Sequence, residues 1–298
     1  MSIFREKLSA MKTFLLPVDF SENTLTTCKH AIYLAGQEKT RLFLFHIYPD
    51  QIIVPDSSFP IGIDNDAFFN VEFIETLRKQ AEENMVKLNA DVLDLIKTMG
   101  YANMEVSHLV TGGDPEWEIR EICKKINPDL IVMGTEGEGK KGFLEGSMAE
   151  SIMTRVKIPV VAVPGSFKKD RIQQIMYATN FSNMDIASIN NVFNLFEKIE
   201  IIVHVVHFQF DEKSGKNSVL LGELEQAFKK RMGKITFNLI QASDKKDVLD
   251  IFTQKYQIDM IAFLSHKRNF FQNLFAHKIS KKDFFKLELP MLALHEGV

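Results

Sequence analysis

Cysteine is nearly absent: Cys28 and Cys123 are the only 2 in 298 residues. Two thiols are too few for a disulfide framework or a zinc cluster, and both fall in helix-like patterns where a buried thiol acts as a small apolar side chain. A reducing cytoplasm is the expected compartment. Long hydrophobic runs are missing as well. Nothing approaches the ~20 apolar residues of a membrane-spanning helix, so no membrane partner is expected. The opening MSIFREKLSA has neither an apolar core nor a small-residue cleavage site, so it does not read as a secretory signal. It reads instead as a poorly ordered extension or an upstream start ahead of Met11. Charge of one sign is never concentrated. The 36 Lys and Arg and 39 Asp and Glu give a net charge of −3, spread without blocks, which leaves no electrostatic footprint for nucleic acid. No Ser-His-Asp set, carboxylate pair or Cys-His pair stands at a matching place in both halves, so dedicated catalysis is not expected.

What is present is an ordinary globular composition, 45% hydrophobic and 25% charged, in a length that suits about two domains. Thr13-Phe-Leu-Leu-Pro-Val18 is a continuous apolar run that suits a strand buried on both faces. A helix follows, with Ser21 as N-cap, apolar Leu25, Cys28, Ile32 and Ala35, and a stop at Gly36. Arg41–Ile47 is the second strand. Residues 49–68, rich in Pro, Asp, Ser and Gly, are expected to form an irregular excursion, a length of loop often tied to function, here a lid. Ile74, Leu77, Ala81, Met85, Leu88, Val92, Leu95 and Met99 make one apolar stripe along a long helix ended by Gly100. Glu105–Val110 is the third strand. Asp114-Pro115 starts a helix that Asn127-Pro128 ends, and Trp117 within it is expected to pack. Asp129–Gly134 and Pro159–Val163 are the fourth and fifth strands.

The pattern then repeats after a polar linker, Gly165–Asp170. Ile175-Met-Tyr-Ala-Thr-Asn-Phe-Ser182 matches Leu15–Ser21, and Ile201–Val205 is set against Leu42–His46. Asp259–Phe263 matches Asp129–Met133, and Pro290–Leu294 matches the fifth strand. A βαβα unit of this length is a whole domain rather than a solenoid repeat. The expected fold is α/β, two tandem doubly wound domains with parallel sheets, over 11–165 and 171–298. The apolar fifth strands of the two copies are expected to pair as an internal pseudo-dimer, with a further homodimer left open.

Pro17-Val-Asp-Phe-Ser21, Asp129-Leu-Ile-Val-Met-Gly134 and the run Gly134-Thr-Glu-Gly137 through Gly146-Ser147 together resemble the universal stress protein family in its tandem form. The resemblance implies five-stranded Rossmann-like sheets of order 3-2-1-4-5. It also implies an adenine-nucleotide site (ATP, ADP or AMP, with or without Mg2+) in the first copy. Pro17, Val18, Asp19, Ile47 and Met133 would line it on the adenine and ribose side, with Gly134, Gly137, Gly146, Ser147 and Met148 around the phosphates. The chemistry suits an anion, because glycines past a strand let N–H groups approach closely and Gly146-Ser147 opens a helix at its positive end. The glycine loop is one residue shorter than in the ATP-binding branch of the family. In the second copy Asn180 replaces Asp19, and Leu264, Lys267, His277 and Lys278 replace the phosphate residues, so a degenerate site is expected there.

Simpler roles stand beside these. Asp19 and Ser147 would each serve as a helix cap. His46 and His204 read as satisfied core histidines, and His204 and His207 lie on opposite faces of one strand, which disfavours a metal. The functional expectation is a nucleotide-regulated stress-response protein, with two rivals. One is a slow ATPase or self-phosphorylating enzyme using Ser147 and Asp19. The other is an interaction scaffold without nucleotide.

Overall fold

Near-continuous apolar runs become parallel strands because a strand covered by helices on both faces meets no water on either. The computed structural model describes residues 11–50, 65–135, 148–169, 171–209, 215–241, 248–265 and 287–295, with backbone alone over 65–70. Its first half runs β1 (Lys12–Pro17), α1 (Thr24–Ala35), β2 (Thr40–Tyr48), α2 (Asn65–Thr98), β3 (Met104–Gly112), α3 (Pro115–Ile126), β4 (Leu130–Gly134), α4 (Met148–Arg155) and β5 (Val160–Val163). The second runs β6 (Gln174–Ala178), α5 (Asp185–Leu195), β7 (Ile202–Gln209), α6 (Gly215–Ala227), β8 (Ile235–Gln241), α7 (Val248–Lys255), β9 (Met260–Ser265) and β10 (Met291–His295). The strands lie in one sheet of order β3-β2-β1-β4-β5-β10-β9-β6-β7-β8. Each half therefore has the order 3-2-1-4-5, and every pairing within a half is parallel.

The halves meet where β5 pairs antiparallel with β10. Val161 stands opposite Leu292, flanked by Val160 with Ala293 and Ala162 with Met291. Val160–Val163 and Met291–Leu294 are matching positions of the repeat, so the Val161–Leu292 pair sits on a pseudo-two-fold axis. Both side chains are 0% exposed, and each fifth strand covers the edge the other would leave open. A second contact lies at the opposite end of the strands. There Lys12 donates to the carbonyls of Asn194 and Leu195 at 3.2 and 3.4 Å, a cation at the negative end of α5.

Several expectations change on contact with the structure. The polar linker packs onto the fold: Phe167 is buried, as is Ile172 just beyond it, Lys169 pairs with Asp259 at 2.7 Å, and the Lys169 carbonyl lies 3.0 Å from His30 Nε2. Helix α1 starts at Thr24, with Asn23 as N-cap. Ser21 instead lends its carbonyl to the Thr24 N–H, and Leu25 in that first turn is exposed. Helix α2 starts at Asn65, so the expected excursion ends earlier than 68, and residues 51–64 lie outside the described residues. Trp117 is 55% exposed; it follows the N-cap Asp114, whose carboxylate accepts its N–H at 2.8 Å, and the ring is left on the outer face. The repeat of the second strand is displaced by two from its sequence alignment. Pro17 pairs with Phe45 and the matching Ala178 with Val206, which sets His46 against His207.

Candidate functional site

The strand order reverses between β1 and β4, the place where an open α/β sheet leaves a crevice beyond its carboxyl ends. Here one residue ends the pairing early. In β1, alternate residues point their backbone groups to β2 and to β4; Val18 N–H bonds the Phe45 carbonyl on β2, so Pro17 faces β4. Proline has no N–H to offer. The β1–β4 ladder accordingly ends at Phe14–Leu130 and Leu15–Ile131, while β1–β2 runs on to Pro17–Phe45. In the second half Ala178 holds the matching position, and its strand pairs with β9 as far as Ala178–Phe263. The first ladder thus stops two pairs short of its counterpart in the second half.

Continuing the β1–β4 register by three residues brings Val18 level with Gly134. Val18 and Met133 are buried, Pro17, Ile47 and Gly134 are half-buried, and Asp19 is exposed. Beyond β1 the chain turns sharply, with Phe20 at φ 61°, a left-handed conformation uncommon for a side chain of this size. Two neighbours stabilise it. The Phe20 ring lies 4.2 Å from that of His46, and His46 Nδ1–H donates to the Val18 carbonyl at 2.8 Å. Asp19 Oδ1 accepts both the Ser21 N–H at 3.1 Å and the Thr24 hydroxyl at 3.0 Å. The carboxylate thus caps the turn with one oxygen. Thr24, the partner that fixes it, was not singled out in the sequence, where a threonine at the head of a helix carries no special signal. Gly137, Gly146 and Ser147 lie outside the described residues; Met148 opens α4 and is partly exposed.

The second half repeats the turn with its groups exchanged. Phe181 has φ 58° and lies 4.3 Å from His207, whose Nδ1–H donates to the Thr179 carbonyl at 3.0 Å. The carboxylate now comes from the helix: Asp185, 1% exposed, accepts from Tyr177 Oη at 2.7 Å, the Ser182 N–H at 3.0 Å and the Thr179 hydroxyl. Leu264, also buried, stands where the first half has Gly134.

Burial also fixes how the protein responds to acid. It pushes the imidazoles of His204, His207 and His295 below their ordinary value of 6.5, against the milder upward pull of carbonyls near the last two and of Asp185 near His207. Unfolded, these rings take up protons near pH 6.5; folded, they do so only at lower pH. The stability they contribute is therefore complete above pH 6.5 and falls as pH drops through it, by up to ~1.4 kcal/mol per pH unit for each ring. Urea midpoints at pH 7.5 and 5.5 should show the loss, and equal midpoints would contradict it. The thiols of Cys28 and Cys123 are pushed up to about 12 by burial, and neither is a nucleophile at neutral pH.

Comparison with known proteins agrees with this architecture. The sequence is 28% identical over 166 residues to a universal stress protein of Methanocaldococcus jannaschii, covering 54% of this chain and 87% of the relative. It is 24% identical over 154 residues to universal stress protein G of Escherichia coli O157:H7, covering 51% and 98%. A solved universal stress protein from Archaeoglobus fulgidus DSM 4304 shares the fold over 96% of both chains, with a TM-score of 0.62 and 19% identity. A functionally unknown protein from Pseudomonas aeruginosa PAO1 does so over 96% of this chain and 93% of its own, with a TM-score of 0.54 and 13% identity. The profile of the universal stress protein family matches residues 11–164, and the chain belongs to that family.

Proposed function

We propose that the first half binds an adenine nucleotide (ATP, ADP or AMP, with or without Mg2+ on its phosphates) and that the bound state biases conformation or partner choice in a stress response. The observation that carries this reading is the ladder that Pro17 ends early in β1–β4 but that continues in β6–β9. An adenine ring needs a flat apolar slot, and Pro17, Val18 and Ile47 would line one beside the end of the β1–β4 ladder. Asp19 uses Oδ1 for both local bonds, so Oδ2 is the oxygen to receive ribose hydroxyls or the adenine amino group. Phosphates would follow Met133 and Gly134 toward Gly137, Gly146, Ser147 and the head of α4, where backbone N–H groups and the helix dipole favour an anion. In this reading the nucleotide serves as a ligand: among the described residues the acid at the crevice is Asp19, and one of its oxygens already caps the turn. Mass spectrometry of small molecules released by denaturing freshly purified protein should return an adenine nucleotide. Its absence, together with no uptake of added nucleotide, would favour a scaffold.

A further inference from the structure

Helix α4 is held from two sides. Within the first half, Glu116 of α3 accepts from Ser151 Oγ at 2.6 Å and pairs with Arg155 at 2.6 Å. From the second half, Ser265 Oγ–H and His295 Nε2–H both donate to the carbonyl of Met153, at 3.1 and 2.8 Å. Ser265 and His295 are register partners at the ends of β9 and β10, and Ser265 is 5% exposed. Met153 lies in the last turn of α4, where carbonyls lack partners within the helix. No pseudo-symmetric counterpart is formed among the described residues. Thr135, which matches Ser265, has a buried hydroxyl with no hydrogen-bond partner among the described residues, and Pro164, which matches His295, has no side-chain donor.

We propose that Ser265 and His295 are positioning residues through which the second half holds α4 and sets the nucleotide affinity of the first. The inference rests on the nucleotide reading above. An eight-residue helix is too short to hold its own place, so these tertiary bonds decide where its N-terminal end points. The duplicated half, with Leu264 where the first half has Gly134, keeps a function as a latch on its neighbour.

The test is calorimetric titration of the full chain with ATP, well below its melting temperature. Ser265→Ala/His295→Leu should bind ATP about tenfold more weakly, within the usual span of coupled sites, and amides 148–155 should exchange faster in the absence of nucleotide. Ser265→Thr and His295→Gln each keep a donor near the Met153 carbonyl and should restore wild-type affinity, which a merely structural loss would not distinguish. Wild-type affinity in the double variant, or unchanged exchange of α4, would overturn the latch alone. Failure of the wild type to bind ATP, ADP or AMP would overturn the nucleotide reading and the latch with it.

Discussion

Val161→Asp is expected to destabilise the chain by more than about 4 kcal/mol, because it places an unpaired carboxylate on the pseudo-two-fold axis of the sheet. Val161 is 0% exposed, and so are Leu292 opposite it and Val160, Ala162, Met291 and Ala293 on either side. An ion there has neither water nor a partner, and protonation would be the only way to remain buried. The β5–β10 ladder should open, so that each half is left with an unpaired edge and becomes prone to association. Urea unfolding gives the loss of stability, and small-angle scattering should report separation of the halves. A control at the other contact between the halves, Lys12→Ala, removes its bonds to the carbonyls ending α5 and its ion pair with Glu38 and should cost about 1–2 kcal/mol. A Val161→Asp protein with near-wild-type stability would mean that the two halves are not joined through these strands.

Asp185→Ala should cost about 3–5 kcal/mol, the range for removing one side of a buried charged network. It would strand the Tyr177 hydroxyl, the Thr179 hydroxyl and the Ser182 N–H without their acceptor, and Tyr177 is 0% exposed. Burial first, and then the neighbouring Asp185 charge, hold the Tyr177 phenol well above its ordinary range, so it is a hydrogen-bond donor at every relevant pH. Tyr177→Phe combined with Asp185→Ala should cost less than the sum of the two, since the second change no longer strands a donor. In the first half the same turn is capped by Asp19, which is exposed; Asp19→Ala should cost only ~1 kcal/mol of stability, the typical worth of a cap. The two carboxylates thus differ in burial and in the cost of losing them. A loss below about 1 kcal/mol for Asp185→Ala would contradict this account.

Strands were the most legible part of the sequence, because a run buried on both faces leaves little alternative to a parallel sheet. The repeated Asp129 and Asp259 were legible as well. Their structural use is to receive backbone N–H groups at the start of the neighbouring first strand, from Thr13 at 2.8 Å and from Gln173 and Gln174 at 2.9 Å. The alignment of the second strands was less so. Apolar runs such as Leu42–Phe45 and Val203–Val206 match at several offsets, and only the ladder fixes which one is real. The exchange of carboxylates between Asp19 and Asp185 could not be read from the first-strand motif, since Asp185 lies outside it and reaches the same turn from the helix. Pro17 was visible from the start as part of a family signature. Its consequence, an early end to one ladder, needed the direction of each backbone group. Likewise Ser265 and His295 carry no motif, and they matter only because β9 and β10 end beside a helix of the other half.

Thermal denaturation with and without nucleotide tests the central claim most directly. At one hundred times its dissociation constant, a ligand bound only by the folded protein adds ~2.7 kcal/mol, so ATP, ADP or AMP should raise the melting temperature of the wild-type chain measurably. Pro17→Ala, which restores an N–H toward β4, and Asp19→Ala, which removes the crevice carboxylate, should each reduce that rise, while Asn180→Ala in the second half should leave it unchanged. A wild-type protein whose melting is unmoved by all three nucleotides, or whose response is lost on Asn180→Ala and kept on Pro17→Ala and Asp19→Ala, would contradict a nucleotide site at the β1–β4 crevice.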